Sequence, residues 1–422
     1  MRPHGSWKRC WRNWVMYSRL SEISDIVYGK SPVEVIDAEG SVPIMGTGGM
    51  YGRASRPMFS AGIVVPRKGT LGNPQLVPIP FWPSDTTFAV IPKPGTDARW
   101  LFYCLLNYDL AKLNEATGVP SISRDWLSKI KFFNPGPTSQ SRIGDILQTI
   151  DLAIEKTEAL IDKYQQIKAG LMHDFFTRGI GPDGHPRPPR VHSPDLYQET
   201  SIGFIPKTWR IVSVGDALEK VIDFRGRTPK KLGLQWGGGD ILALSANNVK
   251  PGRIDTSREA YFGSKKLYER WMTSGGTMRG DILLTMEAPL GNIAQVPDHA
   301  QYILSQRVIA LRLDESIVAN SFAFWQMQGS TFQRHLVKHA TGTTALGIQR
   351  AKLVRLPLGV PSLGEQALIA DRLFSAQRVL DTERKNMRKL EEQKSGLMHD
   401  LLTGKVRVQV EEPQADPAPA NA

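Results

Sequence analysis

The side chains of this 422-residue chain that are best placed to do chemistry are cations in glycine- and proline-rich stretches. Arg53, Arg56, Arg67, Lys68 and Arg124 lie in one such segment. Arg225, Arg227, Lys230, Lys231, Arg279, Arg307 and Arg350 lie in a second. Both residue types neutralise phosphate, and Arg can also make a bidentate contact to guanine in a major groove. Asn and Gln read adenine in the same way, which makes Asn247, Asn248 and Gln306 secondary candidates. Any one of these is ordinary surface by itself; the argument rests on the set.

A catalytic constellation is missing from the sequence. Gly404-Lys405 lacks the upstream glycine and the hydroxyl residue of a phosphate-binding loop. Asn134-Pro135-Gly136 lacks the aromatic ring with which adenine methyltransferases stack a base. The glycine clusters at 46–52 and 237–239 lack the spacing of a dinucleotide loop and read as turns. His335 and His339 are four apart on an expected helix, but no third metal ligand accompanies them. His173 and His399 recur beside an Asp near helix ends, where packing or docking is the expected role. No catalytic residue, metal or directly bound cofactor is therefore expected. Cys10 and Cys104 form neither a disulfide framework nor a zinc cluster, which points to a reducing cytoplasm. No apolar run approaches the roughly 20 residues of a membrane span.

The net charge of +12 is unevenly spread. Residues 1–137 hold 16 Lys and Arg against 10 Asp and Glu, and residues 181–361 hold 23 against 15. Residues 138–180 hold 5 against 6, and residues 362–422 hold 9 against 10. Two basic segments separated by neutral ones suit two footprints on a polyanion.

The neutral segments are copies of one another. Residues 140–179 and 366–405 share the block GLMHD, at 170–174 and 396–400, an offset of 226 residues. In the first copy Ile143, Ile146, Ile150, Ala153, Thr157, Leu160, Tyr164, Ile167 and Leu171 alternate steps of three and four, the seam of a coiled coil. The same choice in the second copy gives Ile369, Ala376, Val379, Leu390 and Leu397, with Arg372, Glu383, Asn386 and Gln393 between them. So polar a seam predicts that the second helix depends on the first, or on partners, for its order.

The basic segments repeat as well, since GIVVPRKGTLGN at 62–73 matches DILLTMEAPLGN at 281–292 and Ala-Thr-Gly recurs at 116–118 and 340–342. Short apolar runs between turn residues predict strands, so the expected fold class is α+β. The expected organisation is a basic extension at 1–17, with Trp7, Trp11 and Trp14 and a possible true start at Met16, and a first recognition domain at 18–137. A helix at 138–180, a Pro/Gly-rich linker at 181–202 and a second domain at 203–361 follow. A second helix at 362–408 and a disordered acidic tail at 409–422 complete it.

Two variable domains, each followed by a helix that ends in a block like GLMHDLLTG, resemble the specificity subunit of type I restriction-modification enzymes. Residues 143–179, 396–408 and 205–216 (IPKTWRIVSVGD) carry the resemblance. It implies two target-recognition domains, with the helices paired as an antiparallel coiled coil about a pseudo-two-fold axis. Each domain would read one half of a bipartite, asymmetric double-stranded DNA target. The helix from 139 to 176 would act as a ruler about 57 Å long, between one and two turns of B-DNA at about 34 Å each. Two methyltransferase subunits with S-adenosylmethionine, and restriction subunits carrying an ATP- and Mg-dependent motor and nuclease, would supply catalysis in phage defence. The rival readings are a self-sufficient methyltransferase or nuclease and a protein-interaction scaffold.

Overall fold

The computed structural model describes residues 17–257, 260–343 and 345–409. The Trp-rich extension before Tyr17, Cys10 and the acidic tail after 409 lie outside them. The described residues form two compact units, one drawn from 1–160 and 383–422 and the other from 161–382. Each unit contains strands, short helices and one segment of each of two long helices, Pro137–Thr177 and Leu363–Leu402.

In the first unit a four-stranded antiparallel sheet runs in the order Ser24–Tyr28, Thr87–Pro92, Gly62–Pro66, Gln75–Val77. A second sheet places Val42–Gly46 between Gly49–Ala54 and Trp82–Pro83, the last pairing being parallel. The central strand Gly62–Pro66 is buried along its length, as a β-branched run between two neighbours should be. Asp97 caps the helix Ala98–Asn107 by accepting from the N–H groups of Arg99 and Trp100. That helix packs Trp100, Leu101 and Leu105 into a core shared with Ile143 and Leu147 of the first long helix and Met398, Leu401 and Leu402 of the second. Asp151 of the first also meets Lys394 of the second, so the two segments run antiparallel in this unit.

The second unit repeats the plan. Its four strands run Leu218–Asp223, Val308–Leu313, Ile282–Met286, Leu290–Gln295, all antiparallel. Its second sheet places Ile241–Leu244 between Tyr261–Gly263 and Tyr302–Leu304, again with one parallel pairing. The helix Asn320–Gln328 takes the place of Ala98–Asn107. Its core holds Ile369, Ala370 and Leu373 of the second long helix with Phe175 of the first, and Leu171, Met172 and Phe176 pack against it. Added length lies in the hairpin Tyr197–Thr200 with Gly203–Pro206 and in the segment with the helix Lys265–Trp271, while the helix Ser330–Lys338 stands where the first unit has the single turn Leu110–Leu113.

The GLMHD block now has a structural reason. Leu and Met of each copy face a core built by the other recognition segment: Met172 packs with Ile369, and Met398 with Ile143. His173 and His399 point outward, and their carbonyls accept the hydroxyls of Thr177 and Thr403. Asp174 pairs with Arg178 at 3.3 Å and Asp400 with Lys405 at 3.2 Å, tying down each helix end.

The expected seam is corrected at two of its nine positions on the first helix, since Ile146 packs against the core of its unit and Ala153 is half-buried. Ile143, Ile150, Thr157, Tyr164 and Leu171 face inward, but Leu160 and Ile167 are 41% and 44% exposed. The inward positions between the five are Leu147, Ile154, Ile161 and Lys168. On the second helix Val379 is 41% exposed, while Leu373 and Leu380 are buried and Met387 is half-buried. With Ile369, Ala376, Leu390 and Leu397 they leave Glu383 and Lys394 as the polar members between Ile369 and Leu397. The second seam is therefore largely apolar, which removes the ground for expecting that helix to depend on the first.

Candidate nucleic-acid interface

In the first unit Tyr28 ends its strand with its ring between two guanidinium groups, Arg67 at 5.0 Å and Arg124 at 5.5 Å. Arg67 is fixed by donating from Nη1 to the Asp85 carbonyl at 2.9 Å. Arg124 opens a helical turn that Ser123 caps by accepting from the Trp126 N–H. The loop before it is tied to the strand end, because Ile122 N donates to Arg67 O and Gly69 N to Pro120 O, both at 2.9 Å. Two like charges sharing one ring, with exposed Lys68 beside them, make a fixed positive corner. Arg56 is exposed in a separate loop. Arg53 donates to the Gly40 carbonyl at 3.2 Å and helps hold its hairpin.

The same corner of the second unit carries a different balance. Asp223, at the matching strand end, receives Arg225 through Nε at 2.9 Å and Nη2 at 2.7 Å. Burial pushes the Asp223 carboxyl up, but the hydrogen bonds and charge of Arg225, with a contribution from Arg350, outweigh it and hold the group below the usual carboxylate range. Arg307 pairs with Glu287 at 3.3 Å. Arg227 lies over Phe224 and donates to the carbonyl of Trp271 and the hydroxyl of Thr273. Lys231 donates to Gly226 O at 2.8 Å. Lys230, Arg279 and Arg350 are exposed.

Beside this corner opens a cleft of about 430 Å³, lined by Arg227, Asn247, Gln306 and Arg307 among others. One wall is aromatic: Trp236 stacks on Tyr261 at 5.7 Å and tilts against Trp271 at 5.4 Å. Asn248 is not in the cleft. It is 1% exposed, its Oδ1 accepts from the Ser245 N–H and hydroxyl, and its Nδ2 donates to Asp255 O. Its polar capacity is spent stapling a turn, so it is corrected from a base reader to a loop anchor.

Thus the structure gathers Arg67, Lys68 and Arg124 in one unit and Arg227, Asn247, Gln306 and Arg307 in the other. Tyr28, Trp236 and Tyr261 were not singled out from the sequence, although aromatic residues interleaved with cations were the available signal. His335 has its pKa lowered by burial and by the neighbouring charges of Lys338, His339 and Arg334, and among the described residues no group of three or more His, Cys, Asp and Glu side chains converges on a metal site. Asn134 accepts from Gly136 N and Gln140 Nε2, a turn-forming role. No described helix is long and apolar enough to cross a membrane.

Comparison with known proteins gives one answer. The family described as the type I restriction modification DNA specificity domain matches residues 12–165 and again 206–392. The type I restriction enzyme MjaVIII specificity subunit of Methanocaldococcus jannaschii is 26% identical over 323 residues, covering 74% of this chain and 71% of that protein. A putative type I restriction enzyme MjaX specificity subunit from the same organism is 24% identical over 326 residues, covering 75% and 70%. Among solved structures, the S subunit of a type I restriction-modification system from M. genitalium matches with a TM-score of 0.60 at 15% identity, over 93% of this chain and 97% of that one. A chain from a structure of type I R-M complex assembly and conformational transition matches at 0.51 and 13% identity, over 93% and 98%. At these identities the structures establish likeness of fold, and the family match spans most of both repeats. The chain belongs to the type I restriction-modification DNA specificity family.

Proposed function

We propose that this chain is the DNA-recognising, non-catalytic specificity subunit of a type I restriction-modification complex, each unit reading one half of a bipartite, asymmetric target. The observation that carries this is the duplication: two units of one strand order each set basic side chains at the same sheet corner, while the long-helix segments are charge-neutral. In this reading Arg67, Lys68, Arg124, Arg56, Lys230, Arg279 and Arg350 meet phosphate. Arg53, Arg225, Arg227, Lys231 and Arg307, already engaged internally, shape the loops that reach the DNA. The long helices fix the separation of the half-sites, and their outward faces dock two methyltransferase subunits. Those subunits bring S-adenosylmethionine, and restriction subunits bring the ATP- and Mg-dependent motor and nuclease, in the cytoplasm.

The test is to assemble the chain with its methyltransferase partner and map methylated adenines across a genome. A single two-part consensus with a fixed gap is expected. Methylation or cleavage by the purified chain alone would make it a self-sufficient enzyme, and equal affinity for target and shuffled duplex would make it a scaffold.

A further inference from the structure

We infer that Asn247 and Gln306 are the base-reading pair of the second unit and that they read adenine. The inference rests on the DNA-target reading above and names what one site selects.

The topology puts the two side chains together. Strands Ile241–Leu244 and Tyr302–Leu304 are parallel neighbours, with Leu244 beside Leu304, so the loops that follow them leave the sheet on the same side. Each loop is fixed by its backbone. Asn248 staples residues 245–248 through Ser245, and Asn247 N donates to the Ser245 hydroxyl at 3.2 Å. Ser245's counterpart in the other loop, Ser305, donates to Leu244 O at 2.9 Å, and Arg307 O accepts from Met286 N at 2.8 Å. Both amides are thus carried on anchored turns, exposed, and lining the cleft whose aromatic wall is Trp236 on Tyr261.

The chemistry follows from what remains unspent. The neighbouring cations Arg227 and Arg307 are committed to Trp271, Thr273 and Glu287, and Asn248 is buried. The side-chain amides of Asn247 and Gln306 have no hydrogen-bond partner among the described residues. A primary amide offers one donor and one acceptor side by side, the complement of adenine N7 and N6. Because both are neutral, they release no counterions, so they contribute selection without salt dependence. In the first unit Asp85 stands where Gln306 does, each two residues before its strand, Thr87–Pro92 or Val308–Leu313. A carboxylate accepts from cytosine instead, so the two units would not select the same base there.

The experiment uses the full chain assembled with its methyltransferase partner, carrying Asn247→Ala, Gln306→Ala or Gln306→Glu. Binding is selected from duplexes randomised over both half-sites, and the salt slope is measured on the preferred duplex. Wild type should show at least one adenine besides the methylated ones in one half-site. Each Ala variant should lower discrimination at such an adenine by about tenfold or more, with the other half and the salt slope unchanged. Gln306→Glu should move the preference toward cytosine. A wild-type consensus with no adenine besides the methylated ones, unchanged half-sites in all three variants, or a reduced salt slope with unchanged preference would each overturn the inference while leaving the DNA-target reading in place. Absence of any sequence preference in the wild type would sink that reading itself.

Discussion

In each unit a lysine of one long helix crosses to the other, and its surroundings differ between the two. In the first, Lys394 reaches Asp151 at 2.6 Å, and Asp151 also accepts from the Tyr103 hydroxyl at 2.7 Å. In the second, Lys168 reaches Gln377 at 2.6 Å and lies 4.7 Å above the Trp325 ring. Lys168 and Lys394, and Asp151 and Gln377, are each 226 residues apart, so these are the same two positions. The lysine is retained while its partners change together: carboxylate with phenol, or amide with indole. Burial and the adjacent Asp151 push the Tyr103 phenol up, which keeps it a donor. The buried glutamines that begin the helices did not diverge. Gln140 accepts from Asp97 N and Gln366 from Ala319 N, both at 2.8 Å and both at the start of a recognition-unit helix. A duplicated fold thus tolerates new chemistry where a side chain has a wet end, and keeps the old where an amide must satisfy a buried backbone.

The sharpest inequality is at the helix entry. Glu365, its side chain 10% exposed, accepts from both Nη atoms of Arg187, the Ile180 N–H and Trp209 Nε1. Its counterpart 226 residues earlier is Ser139. Glu365→Ala should therefore destabilise the second unit by about 3–5 kcal/mol, because it strands a buried guanidinium, whereas Ser139→Ala should change the first by less than about 0.5 kcal/mol. Hydrogen exchange resolved by segment checks this, and equal loss of protection in both units would break the comparison.

The corrected seam supplies the next test. Leu147→Ala should cost about 2–5 kcal/mol as a core deletion, and Leu160→Ala, 41% exposed, less than about 1 kcal/mol. Chemical denaturation of the two variants measures the difference, and similar costs would restore the seam expected from the sequence.

That seam shows how much of the chain was legible. The duplication, the α+β class, the long helices and the family were readable because they rest on repeats and periodicity. Part of the seam was not. Apolar residues stand at both 146 and 147, 153 and 154, and 160 and 161, so two alternations of three and four fit equally. Ile167 against Lys168 decided for the wrong one, since a lysine is a poor core residue. In the fold Lys168 lays its stem inward and its ammonium over Trp325. The one-residue choice then placed Arg372 and Asn386 on a seam that holds Leu373 and Met387. In the candidate interface, residue types were legible and commitment was not: Arg225 and Arg227 read as free cations until Asp223 and the Trp271 carbonyl came beside them.

The two basic corners should respond unequally as well. Replacing Arg67 and Arg124 by Ala removes two phosphate-directed charges, so affinity should fall and the slope of log affinity against log salt should decrease by about 1.8. Replacing Arg225 by Ala should change the slope by well under the about 0.9 of one free phosphate contact, because Asp223 already neutralises it. Fluorescence-anisotropy titrations over a salt series distinguish them, and a change of about 0.9 for Arg225 would mean that it leaves its partner on binding DNA.

The smallest effect tests whether the two lysine sites are interchangeable. Gln377→Glu would give Lys168 the carboxylate that Lys394 has, but it would also replace the amide that donates to Asp381 Oδ1 at 2.9 Å with a second anion beside that carboxylate. The change adds attraction to Lys168 and repulsion from Asp381, with one more carboxylate to desolvate. For side chains as exposed as Lys394 and Asp151, at 25% and 33%, these nearly cancel. The expected net change is within about 0.5 kcal/mol at low salt, vanishing at high salt. The reverse change, Asp151→Asn, should cost only about 1 kcal/mol, because Tyr103 still finds an acceptor in the amide, and should reduce the salt sensitivity of the first unit. Unfolding midpoints at two ionic strengths read both variants. If Gln377→Glu destabilises at low salt and recovers at high salt, repulsion from Asp381 outweighs attraction to Lys168, and the two lysine sites are not interchangeable.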